Sequence, residues 1–121
     1  MLKYLVATGL GLYSIAALGF AQSQPQSLPL KGPMIAHVLA GHVLVSLPSA
    51  EPTAEMLRAD GSALFQSKDK RQVGRWKVLG DKYCSMWPPA QDWTCSDVSF
   101  DGKIVHFAGA GGTTNDLLIA K

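Results

Sequence analysis

From Gly74 to Trp87 the chain reads Gly-Arg-Trp-Lys-Val-Leu-Gly-Asp-Lys-Tyr-Cys-Ser-Met-Trp, and a second cysteine follows at Cys95. Two strand-like runs meet at Gly80-Asp81, a dipeptide suited to the positive-φ positions of a tight hairpin. The second run carries Cys84, whose one possible partner in the chain is Cys95, a hairpin further on. The pattern predicts a small antiparallel β domain closed by a Cys84–Cys95 disulfide, in a compartment where disulfides persist. It names no substrate.

The first 21 residues point to that compartment. Lys3 supplies a short positive segment, Leu5 to Phe20 is apolar and uncharged, and Gly19-Phe20-Ala21 places small residues where a signal peptidase reads. A helix crossing the hydrocarbon core needs about 20 apolar residues, and this run is shorter. Cleavage after Ala21 is therefore expected rather than a retained anchor, which makes the protein periplasmic or secreted with no stable membrane span. No cysteine at that point supports a lipid anchor.

The roughly 100 residues left suffice for one domain with one modest core. Removing Lys3 leaves ten basic and nine acidic residues, a balance that argues against nucleic acid as the main partner. Residues 22–32 are expected to form a disordered leader and residues 33–121 a single β domain.

Within that domain, Pro33 suits a helix start and Gly41 its end, so a two-turn helix is expected with Ile35, Val38 and Leu39 on one face. From His42 onward the signal is β. Val43 to Leu47 stops at Pro48. Thr53 to Arg58 is weaker, because Ala54, Glu55, Met56 and Leu57 all favour helix. Asp60-Gly61, Gly80-Asp81 and Asp101-Gly102 punctuate the rest, each between apolar runs about 20 residues apart. Trp76 and Val78 alternate with Arg75 and Lys77, and Ile104 and His106 with Val105 and Phe107. Gly109 to Gly112 reads as a flexible loop, and Leu117 to Ile119 as a last strand. The fold class is mainly β: an up-and-down meander or barrel of seven or eight short strands, with one short N-terminal helix and one disulfide. Closure also removes the unpaired edges of an open meander.

The order Gly74-x-Trp76-x-x-x-Gly80-Asp81-x-Tyr83-Cys84-x-x-Trp87, then Cys95, resembles a family of small secreted bacterial β domains of unknown function. Leu39-Ala40-Gly41 matches that family's early L-x-G element and Asp60-Gly61 its DG turn. The resemblance spans Ile35 to Phe107. It implies a fold and a compartment and transfers no catalytic residue. The insert Trp87-Pro88-Pro89-Ala90 between the cysteines departs from the pattern. Trp76, Gly80, Asp81 and Cys84 are also similar, more distantly, to the W-x-x-x-G-D-x-x-C hairpin of secreted bacterial metalloprotease inhibitors. Those barrels act through an N-terminal trunk, which Gln22 to Leu30 would supply here.

Cys84 and Cys95 lack the C-x-x-C spacing of redox pairs and the company that zinc sites need. His37, His42 and His106 are scattered, so no metal site and no cofactor is expected. Asp60, Asp81 and Asp101 occupy turn positions where Asp serves the backbone. Acid–base chemistry needs paired groups with separated pKa values, and no such pair, nucleophile elbow or phosphate loop appears. Arg75 and Lys77 share a strand face, which reads as a solvated outer surface or an anion-binding patch. Trp76, Trp87, Trp93, Tyr83 and Phe100 line a cavity or fill the core. Trp76 is assigned to the core. Trp87 and Trp93 flank the Pro88-Pro89 loop and are candidate contact residues.

The expectation is a non-enzymatic, monomeric binding domain without catalytic residues. Its candidate contacts are Trp87, Trp93, Arg75 and Lys77, and its partner is a protein, a lipid or an envelope polymer. The alternative is an inhibitor of a secreted protease acting through its N-terminal segment, and a small enzyme comes third.

Overall fold

Asp60, Gly80 and Asp101 each begin a reversal of the chain, and the atoms that make them do so are visible in a computed structural model, which describes residues 26–120. Asp60 Oδ1 accepts hydrogen bonds from the Ser62 N–H (2.9 Å) and hydroxyl (2.7 Å), with Gly61 at φ 93°. Asp101 Oδ1 accepts from the N–H groups of Lys103 (2.9 Å) and Ile104 (2.7 Å). Gly80 takes φ 62° between its two strands. These local geometries set the hairpins, and the strands follow.

The strands are β1 (Leu28–Leu30), β2 (His42–Ser46), β3 (Thr53–Leu57), β4 (Ser62–Ser67), β5 (Arg71–Leu79), β6 (Lys82–Met86), β7 (Thr94–Phe100), β8 (Ile104–Gly109) and β9 (Thr114–Ile119). One helix, α1 (Pro33–Leu39), separates β1 from β2. Every pairing is antiparallel. Strands β2 to β9 run up and down in chain order, and β2 pairs with β9, so the eight close into a barrel. Strand β1 is additional. It pairs with Val98–Phe100 of β7, beyond the stretch Thr94–Ser96 that pairs with β6. The mainly β barrel expected from the turn spacing is present, with its short helix and its disulfide.

Two segments differ from the sequence reading. Leu28–Leu30 lie in the leader expected to be disordered, yet the free edge of β7 gives their backbone groups partners and makes them a strand. Ala110–Gly112, expected as a flexible loop, forms a single 3₁₀ turn, and the Gly109 N–H is tied to the Thr113 carbonyl at 2.8 Å. The expected export signal lies outside the described residues. Among the described residues no helix is long and apolar enough to cross a membrane.

Because side chains alternate across a strand, the register sorts each strand into an inner and an outer row. Leu44, Leu57, Ala63, Trp76, Val98, Val105 and Leu117 point inward and are buried. Helix α1 lies at the barrel end where β2 begins, and Ile35 and Leu39, both fully buried, join the same cluster. The Gly41 N–H anchors the helix exit by donating to the Leu57 carbonyl at 2.7 Å. Trp76 completes this end: its indole N–H donates to the Arg58 carbonyl at 2.7 Å, so a buried polar group is satisfied as well as packed. One end of the barrel is thereby apolar and plugged.

Candidate binding site at the open end of the barrel

The inner rows change character toward the other end. Where β3 passes from Leu57 to Thr53 the inward residues are Leu57, Glu55 and Thr53. On β6 they are Tyr83 then Ser85, on β7 Val98 then Ser96, and on β9 Leu117 then Asn115. The strand period that buries the core at one end therefore delivers a carboxyl, three hydroxyls and an amide to the other. Glu55, Tyr83, Ser85, Trp87, Ser96 and Asn115 are among the residues lining an open cavity of about 200 Å³ there, with Phe107 and Leu117 also contributing to its wall.

Its chemical centre is a hydrogen bond from the Tyr83 hydroxyl to Glu55 Oε2, 3.2 Å long. Burial raises the Glu55 pKa above its ordinary value, and the bond from Tyr83 offsets part of that rise. Burial likewise pushes the Tyr83 phenol up, and the neighbouring Glu55 carboxylate adds to it. Tyr83 keeps its proton at any ordinary pH and acts as a fixed donor.

Aromatic rings wall the site. Tyr83 stacks on Trp76 at 6.2 Å between centroids and meets Phe107 at 5.1 Å. Phe65 approaches Trp87 edge-on at 6.2 Å. Trp87 lies over the backbone of β5 because Gly74 leaves room: a Cβ there would stand 2.6 Å from the indole ring. The Gln72 side-chain amide donates to the Pro88 carbonyl at 2.9 Å and ties the following loop to the same rim.

The sequence-derived candidates divide between two surfaces. Trp87 belongs to the cavity wall. Trp93 has the parity of Cys95 and stands outside, with the Lys77 ammonium 4.2 Å from its ring centroid. Lys77, Cys84 and Cys95 are successive partners across β5, β6 and β7, so the Cys84–Cys95 disulfide lies on that outer face. Arg75 is exposed on the same side of β5. Trp87 and Trp93 thus do not form one contact surface. Lys82, at the start of β6, is paired with Asp97 at 2.8 Å. Among the histidines, His106 stands on the outer wall with Nδ1 2.8 Å from Asp116 Oδ1, an interaction that raises its pKa. Among the described residues no group of three or more His, Cys, Asp or Glu side chains is placed to hold a metal ion.

Glu55 is the residue sequence reasoning passed over. The signal was its parity: on a strand it shares a face with Leu57, whereas the helix-favouring run Ala54–Leu57 left that face undefined.

Fold and cavity together define the class: a closed eight-stranded up-and-down barrel, helix-plugged at one end and open at the other, with a carboxyl–phenol pair inside. Comparison with protein-family models, curated proteins and solved structures finds no match for the chain.

Proposed function

We propose that the protein is an exported binding domain that takes a small ligand into the open end of its barrel. The observation that carries this reading is the Glu55–Tyr83 pair, held in a recess walled by Trp87 and Phe107. A concave recess with convergent polar groups, three aromatic rings and a carboxyl of shifted pKa is a candidate small-molecule site. The volume of about 200 Å³ lies below the roughly 300 Å³ at which drug-sized ligands begin to be held, so the occupant is small.

Binding fits better than catalysis. Tyr83 is fixed in its protonated form, and Glu55 has no second acid or base beside it in the cavity wall except Tyr83. The recess thus offers one titrating carboxyl rather than the pair of groups with separated pKa values that marks acid–base sites. Export is supported by the apolar N-terminal run of the sequence and by a disulfide within the domain.

The test is amide chemical-shift mapping of the mature chain against a panel of small organic probes. Perturbations confined to Glu55, Tyr83, Ser85, Trp87, Ser96 and Asn115 are expected, and they should vanish in Ser96→Phe, which fills the recess. Perturbations centred on Arg75, Lys77 and Trp93 would move the site to the outer face.

A further inference from the structure

Resting on the barrel-mouth reading, we propose that the cavity is selective for a protonated amine, a small organic ammonium with N–H groups to donate and an apolar body. Glu55 supplies the counter-charge. Its Oε2 is engaged by Tyr83, while among the described residues Oε1 accepts no side-chain hydrogen bond, which leaves an acceptor for an incoming N–H. Ser85, Ser96 and Asn115 provide neutral oxygen acceptors around the same recess for the remaining N–H groups of an ammonium.

The wall favours the same ligand. Among the described residues, the titratable groups lining the cavity are Glu55 and Tyr83, and no lysine, arginine or histidine contributes to it. An anionic ligand would therefore meet a carboxylate with no cation to offset it. Tyr83, Trp87 and Phe107 present aromatic rings, whose negative faces attract a cation and whose bodies pack an apolar tail. Nearby ionic groups do not interfere, because His106 and Asp116 pair with each other on the outer wall, across the strands from the recess.

Burial disfavours the charged form of Glu55 in the empty site, so its carboxyl titrates above its ordinary value. An entering ammonium stabilises the carboxylate, so at pH values where Glu55 is still protonated, binding releases its proton to solvent. The O–H bond of the carboxylic acid breaks, the carboxylate pairs with the ammonium, and no other bond changes. Amine affinity therefore rises with pH through the Glu55 titration, until the ligand itself begins to lose its proton.

The experiment uses three probes of one shape and different charge: 2-phenylethylamine, 2-phenylethanol and 3-phenylpropionate, titrated calorimetrically into the mature chain. A charge-assisted contact should favour the amine over the alcohol by about tenfold or more. The propionate should not bind. Glu55→Gln retains an acceptor for Tyr83 and should fold; it should lower amine affinity by about tenfold while leaving the alcohol within about twofold. Thermal melts of the variant confirm that the barrel is intact. Alcohol binding that equals or exceeds amine binding, with both lost in Ser96→Phe, would overturn the amine assignment and leave the barrel-mouth site standing. Amine binding unchanged in Glu55→Gln would also overturn it. If none of the three probes binds in the recess, both readings fall.

Discussion

Single residues in this barrel have costs set by which side of the wall they occupy. Trp76 is only 6% exposed, is stacked against Tyr83 and is hydrogen-bonded through its indole N–H. Emptying such a site costs about 3–5 kcal/mol, so Trp76→Ala should shift the denaturant midpoint far down. Its neighbour Arg75 points to solvent, and Arg75→Ala should change stability by no more than about 0.5 kcal/mol. Equal losses in the two melts would mean that inner and outer rows have been exchanged. Gly74 belongs to the same logic, since even one methyl there collides with Trp87.

At the scale of elements, the turns and the clear alternations were legible because their causes are local. Asp-Gly and Gly-Asp reversals need only their own backbone and one carboxylate, and Trp76–Val78 or Val105–Phe107 declare a face without help from neighbours. Strand β3 was ambiguous because its residues favour helix, and pairing on both sides with β2 and β4 decides the matter. Strand β5 begins four residues earlier than its sequence suggested, at Arg71, because β4 offers partners along that length. Strand β1 depends wholly on a distant edge and left no periodic trace. The site was hardest to read, since Glu55, Ser85, Ser96 and Asn115 come from four separated segments that only closure brings together. The disulfide was plain from cysteine count alone. It joins directly paired residues of β6 and β7, 11 apart in sequence. In the chain-entropy account, a cross-link closing a loop of this size is worth about 3 kcal/mol. Melts with and without reductant should differ by that order, whereas coincident curves would show that the β6–β7 pairing does not depend on it.

The whole molecule is asymmetric along its barrel axis: a helix and an apolar cluster close one end, and polar side chains furnish the other. The plugged end holds the apolar core, and the open end carries a half-buried carboxyl whose charged form is partly desolvated. Because folding raises the Glu55 pKa, its protonated form favours the native state. That contribution is full below the unfolded value and is lost as pH rises through the folded one. The most direct test of the account is a carboxyl-carbon NMR titration of Glu55, which is simple because the chain contains two glutamates, Glu51 and Glu55, and Glu55→Gln assigns the signal. The inflection should lie above the ordinary value of 4.5 and move down when 2-phenylethylamine is present at saturation. An inflection at or below 4.5, indifferent to the amine, would place the carboxyl in free solvent and contradict the proposed site.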